Sequence, residues 1–121
     1  LGELTIVRKG DIYWVDFGVP IGNEQGGRRP ALIIQNDVGN KKSATTIIAA
    51  ITSRIYDVKY PFHVHISAKE SGLSKDSTVK LEHIRTISVD RLISLIGSLS
   101  PNKMLEVDEA IRASFGLTNL K

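Results

Sequence analysis

The period of hydrophobic and polar positions changes along the chain. Asp11–Phe17 (D-I-Y-W-V-D-F) is dense in aromatic and β-branched residues, which predicts a strand. Gly18–Gly27 follows, with Gly18, Pro20, Gly22, Asn23, Gly26 and Gly27 as turn-formers, a long loop for a small domain and of the kind that often carries function. Arg29–Asn36 and Thr45–Thr52 are apolar on both faces at their centres, which predicts strands buried on both sides. Between them, Asp37–Ala44 reads as a basic turn. Phe62–Ile66 alternates as a half-exposed strand does, Thr78–Thr86 is extended, and Leu92–Leu99 supplies another apolar run. The short polar pieces Ala68–Ser71 and Ser88–Arg91 suit single helical turns. After Ser100, a helix cap, and Pro101, suited to a first helical position, the period lengthens. Met104, Val107, Ala110, Ile111 and Phe115 recur at three- and four-residue spacing, with Gly116 as a stop.

Many short strands and one terminal amphipathic helix predict a mostly β fold with α additions, a compact and mainly antiparallel barrel. The 121 residues are one domain's worth of chain, 1–121, with 1–6 read as an N-terminal extension. A composition 41% hydrophobic and 24% charged excludes a disordered tail protein. The longest apolar run, Ile47–Ile51, is far short of the roughly 20 residues that cross a bilayer, and no secretory leader is visible. The expectation is no membrane association and a cytoplasmic location. Cysteine is absent, which removes a disulfide framework, a thiolate nucleophile and a Cys-based zinc site. A net charge of +3, from 16 Lys and Arg against 13 Asp and Glu, allows nucleic acid as a partner without demanding it.

Register brings two of these residues together. If Arg29–Asn36 and Thr45–Thr52 are antiparallel neighbours, pairing their inner ends, Asn36 with Thr45, sets Arg29 opposite Thr52 at the open end. Directly opposed side chains lie on one face with Cβ atoms about 5 Å apart. Pro30 pushes Arg29 towards extended backbone, and Gly26-Gly27 lets the chain turn sharply or lets a phosphate approach it. A guanidinium suited to bidentate phosphate contact and a hydroxyl donor then share one mouth, beside a loop carrying Glu24. The plainer account makes Arg29 a surface arginine, Thr52 a strand-end threonine and Gly26-Gly27 a simple turn.

The ordered set Lys9-Gly10-Asp11-Ile12-Tyr13, Glu24-Gln25-Gly26-Gly27-Arg28-Arg29-Pro30, Ala49-Ala50-Ile51-Thr52 and Leu81-Glu82-His83-Ile84-Arg85-Thr86 resembles the MazF/PemK family of toxin endoribonucleases, most closely its Gram-positive forms. The resemblance extends from about Val7 to Leu117. It implies a small SH3-like (PemK/CcdB-type) antiparallel barrel with a C-terminal helix, and a homodimer. It implies cleavage of single-stranded RNA, mainly mRNA, at a short motif, without metal or other cofactor, leaving 2′,3′-cyclic phosphate and 5′-hydroxyl ends. It also implies a cognate, MazE-like antitoxin. The family's catalytic arginine falls on Arg29 and its threonine on Thr52.

In such a reaction Arg29 is suited to stabilise charge on the phosphate, and Thr52 to hold it in line. The base is open between Glu24, which matches an acidic position of some relatives, and His63, His65 or His83, whose titration range fits acid–base work. His63 and His65 share a strand face, but two ligands without a third suitably spaced do not make a metal site. RNA grip is expected from backbone amides at Gln25, Gly26 and Gly27 and from Lys41, Lys42, Arg54, Lys59 and Arg85, with base reading by Gln25, Asn36, Glu82 and His83. His83 stands where some relatives carry glutamine. Two other readings compete: a non-enzymatic, gyrase-binding toxin on the same barrel, and an SH3-like peptide-binding module.

Overall fold

A computed structural model describes residues 6–19, 22 and 26–118. In chain order its elements are β1 (Asp11–Asp16), β2 (Arg28–Ile33), α1 (Asp37–Lys42), β3 (Thr45–Thr52), β4 (His63–Ile66), α2 (Ala68–Ser71), β5 (Ser77–Ser88), a 3-10 turn (Val89–Arg91), β6 (Leu92–Ser98) and α3 (Pro101–Ser114). The strands form one antiparallel sheet in the order β4-β5-β3-β2-β1-β6.

Alternation along the strands divides the apolar residues between two faces. Ile12, Leu32, Ala49, Ile51, Val64, Ile66, Val79 and Leu81 point inwards and pack with Val107 and Ala110 of α3. Tyr13, Val15, Ala31, Ile33 and Ile48 point to the other face and pack with Phe17, Ile87 and Leu92. This explains why the centres of β2 and β3 carry no polar alternation: each lies between two clusters. Helix α3 begins as its sequence requires, with Ser100 accepting from the Lys103 amide and Pro101 in the first turn.

The sheet rolls until its two edges nearly meet. α2, which follows edge strand β4, lies against the other edge strand, β6. A Cβ placed on Gly97 would stand 2.3 Å from the Ser71 carbonyl oxygen, and one on Gly72 would stand 2.7 Å from that of Ile96. Hydrogen at these positions is what lets the backbones touch. A capping box, in which Ser67 and Glu70 satisfy each other's amides, holds α2 in place. On the outer side of β4, the Lys103 ammonium donates to the His65 carbonyl at 3.2 Å and stands near Glu106 and Glu70.

Three differences from the sequence reading go beyond a single residue. Asp37–Ala44 is not a simple turn: Asn36 caps a short helix by accepting from the Gly39 amide, and Asp37 accepts from the Lys9 amide. The second strand ends at Ile33 rather than Asn36 because the chain turns into that cap. β5 runs longer than Thr78–Thr86, and its register with β3 shifts between Ala49 and Ala50. Residues 81 to 83 are thereby left out of the β3–β5 ladder, as a bulge does. The K-G-D stretch is structural: Lys9 pairs with Asp108 of α3 at 2.7 Å, and Asp11 accepts from the Ser98 hydroxyl and the Arg8 amide.

Candidate functional site

β2 and β3 pair with Ala31 opposite Ala50, Leu32 opposite Ala49 and Ile33 opposite Ile48. Continued outwards, this register sets Arg29 opposite Thr52. Val15 of β1 lies opposite Arg29, Thr78 of β5 opposite Thr52, and His65 of β4 opposite Thr78. Five strands thus contribute one transverse row, Val15–Arg29–Thr52–Thr78–His65, on the face away from α3. Arg29 and Thr52 both line a cleft of about 560 Å³, shared with Trp14, Leu73, Lys75 and Ile96.

Local hydrogen bonds aim both side chains. Arg29 donates through Nε to the Gly26 carbonyl at 2.9 Å, which directs the Nη edge of the fork away from the loop base. Gly27, at φ +73°, donates its amide to the Gly18 carbonyl, and its carbonyl accepts from the Phe17 amide, both at 2.8 Å. These two bonds close the neck of the 18–27 loop, and the left-handed backbone they need favours glycine. Thr52 Oγ1 accepts from the Arg54 amide at 3.2 Å, so its own proton remains available to an incoming anion. The Arg54 carbonyl accepts from the Thr78 hydroxyl at 2.9 Å. The first residues after β3 are therefore held from both sides.

The other expected site residues distribute along and beside this face. Glu24 and Gln25 lie outside the described residues. Arg54 places its guanidinium carbon 4.5 Å from the centre of the Tyr56 ring, and Arg85 lies 5.4 Å from that of Phe17. Glu82 accepts from His63 Nε2 at 2.8 Å. Burial, with the Lys80 charge, holds the His83 imidazole below its usual range, and Glu82 opposes this in part. Asn36 and the exposed Lys41 and Lys42 lie at the opposite end of β2 from Arg29, so the fold does not gather them at its mouth. The Asn36 side-chain oxygen is committed to the helix cap.

Sequence reading missed one cluster. The chain between β3 and β4 stacks Tyr60 on Phe62, with centroids 5.3 Å apart, and sets Tyr56 against His63 at 4.6 Å. Its residues lack strand or helix period, and the only available signal was three aromatic rings and a histidine within eight positions. Among the described residues no group of three or more His, Cys, Asp or Glu side chains gathers as metal ligands do.

Residues 8–115 match the family described as the PemK-like, MazF-like toxin of type II toxin-antitoxin systems. The chain is 49% identical over 112 residues to a protein named endoribonuclease EndoA from Bacillus subtilis, covering 93% of this chain and 97% of that one. It is 50% identical over 114 residues to endoribonuclease MazF of Staphylococcus epidermidis, covering 94% and 95%. A crystal structure of MazE-MazF from Deinococcus radiodurans superposes with a TM-score of 0.73 at 27% identity, over 94% of this chain and 99% of that one. By sequence along nearly its whole length and by the half-barrel and terminal helix it forms, this chain belongs to the PemK/MazF family of toxins.

Proposed function

We propose that the protein is a sequence-specific endoribonuclease that cuts single-stranded RNA, chiefly mRNA, as the toxin of a toxin–antitoxin pair. The observation that carries this reading is the register that opposes Arg29 and Thr52 at one mouth, with the Thr52 proton free to donate. The named activity of relatives half identical to this chain points the same way.

The RNA 2′-hydroxyl attacks the adjacent phosphorus while the bond to the 5′-oxygen breaks. The products are a 2′,3′-cyclic phosphate and a 5′-hydroxyl, with no need for water or metal in the step. Negative charge builds on the phosphate oxygens and the departing oxygen. Arg29 stabilises it with a planar pair of donors, and Thr52 donates to a non-bridging oxygen, fixing the in-line geometry. Arg29 serves as a cation and donor and not as the base, since a guanidinium offers five N–H donors and no acceptor. Glu24 takes the 2′-hydroxyl proton, with Gln25 next to it in the loop, and the departing 5′-oxygen takes up a proton from solvent, so that no proton is gained or lost overall. Arg54 and Arg85 hold neighbouring phosphates, and Glu82 and His83 contact bases. The protein acts in the cytoplasm as a homodimer and is silenced by a cognate MazE-like antitoxin that occupies the RNA face. A MazE-MazF complex among the structures of similar fold supports such a partner.

The test is fragment-end mapping on a long mixed RNA incubated with the protein in chelator. Fragments ending in cyclic phosphate at one short motif are expected, and they disappear with folded Arg29→Ala or Thr52→Ala. Intact RNA would overturn the reading in favour of a toxin that binds a protein target.

A further inference from the structure

A second cleft, of about 590 Å³, opens beside the Arg29–Thr52 mouth under the chain between β3 and β4. Tyr56, Lys59, Tyr60, His63, His65 and Thr78 are among its lining residues. We propose that this cleft holds one unstacked nucleobase of the RNA strand, next to the scissile phosphate, with the Tyr60 ring as its stacking platform. The proposal rests on the endoribonuclease reading above and assigns that site a subsite.

Position is the first argument. Thr78 and His65 continue the transverse row that contains Arg29 and Thr52. Adjacent strands lie about 4.8 Å apart, so the cleft begins one strand spacing from Thr52 and His65 stands roughly 14 Å from Arg29. A strand whose phosphate sits at Arg29 and Thr52 reaches this cleft with a neighbouring nucleotide.

The rings supply the second argument. Tyr60 lies nearly parallel to Phe62, at 16°, and meets the His63 ring edge-on at 5.2 Å. Phe62 covers one face of Tyr60, and Tyr60 is 41% exposed, so a base can add as the next layer of an existing stack. Single-stranded nucleic acid is commonly bound in this way, by aromatic platforms beside cations. Arg54 and Lys59 are the cations here, suited to the flanking phosphates.

A buried nitrogen supplies the third. The His63 side chain is only 8% exposed, and Nε2 faces the Glu82 carboxylate. Nδ1 is buried without a hydrogen-bond partner. In the tautomer whose Nε2 proton points at Glu82, Nδ1 is the ring's acceptor. A nucleobase entering along Tyr60 brings amino or imino N–H groups towards a buried nitrogen that has no hydrogen-bond partner among the described residues, whereas an aliphatic side chain brings none.

The experiment uses oligoribonucleotides carrying the mapped cleavage motif, with an abasic ribose placed in turn at each position flanking the cut. With the wild-type protein, one position next to the cut should raise KM about tenfold or more and leave kcat within a factor of about two. Tyr60→Ala should raise KM for the intact RNA by a similar factor and abolish the penalty at that position alone, while Tyr60→Phe keeps it. 2-Aminopurine at the same position should be quenched on binding the wild-type protein, a readout that needs no variant. An abasic profile identical in wild type and Tyr60→Ala, or 2-aminopurine as bright bound as free, overturns the subsite while cleavage persists. Unchanged RNA kinetics in Tyr60→Ala together with lost inhibition by an antitoxin peptide overturns it in favour of a peptide-binding cleft. A wild-type protein that cleaves no RNA overturns the parent reading, and the subsite with it.

Discussion

At the scale of single residues, the pair that matters most is held by backbone rather than by other side chains. Thr52 accepts from the Arg54 amide, and Arg29 donates to the Gly26 carbonyl. Thr52→Ser keeps both the acceptor and the free proton, so kcat should stay within about tenfold of wild type. Thr52→Val keeps the shape and loses both, and kcat should fall by about 10²–10³, the usual effect of removing one transition-state donor. Single-turnover kinetics on a short oligoribonucleotide separates the two. His83 offers a second test. Its imidazole is disfavoured as a cation chiefly by burial and then by Lys80, so its folded pKa lies below the unfolded one. The stability it contributes is present above the unfolded value and lost as pH falls through the folded one. NMR titration should show a low midpoint that rises in Lys80→Ala and falls further in Glu82→Gln. The Arg29–Thr52 relation was legible in the sequence because two equal apolar runs fix a register by their inner ends. The Tyr60 platform was not, since it depends on how an aperiodic segment folds back on β4.

Among the elements, strand and helix period carried most of the information. β1, β3, β6 and α3 follow from alternation, from the doubly buried runs and from the Ser100-Pro101 start. α1 escaped because its six residues, D-V-G-N-K-K, bury no side chain and so show no apolar period. It exists through the Asn36 cap and the Asp37 contact with Lys9, which are tertiary facts. A close backbone approach also lies at this scale. Gly97→Ala places a methyl group 2.3 Å from the Ser71 carbonyl oxygen, so α2 and β6 must separate. A loss of about 2–4 kcal/mol is expected, in the range of overpacked or backbone-strained sites. Ser100→Ala, which removes only a cap, should cost about 1 kcal/mol. Urea denaturation of the two variants beside wild type checks both the size and the order.

Over the whole molecule, the modest positive charge is less informative than its placement. Arg29, Arg54, Lys59 and Arg85 lie on or beside one face of the sheet, away from α3. If these four contact phosphates, log Kd against log salt should have a slope near 3, from about 0.7 per contact on single strands. Arg54→Gln should lower that slope by about 0.7 in a salt series followed by fluorescence anisotropy. Neither the cleft volumes nor the near meeting of the sheet edges could be read from composition, because both follow from how far the sheet rolls.

The ammonium of Lys103 beside β4 has a consequence for the protein in concentrated solution. An uncovered strand offers its carbonyls to any passing chain, and a positive charge set against one of them penalises that recruitment. A molecule organised around a single pleated sheet thus carries its own deterrent to fibre growth, supplied from a helix some forty residues downstream of the strand it guards.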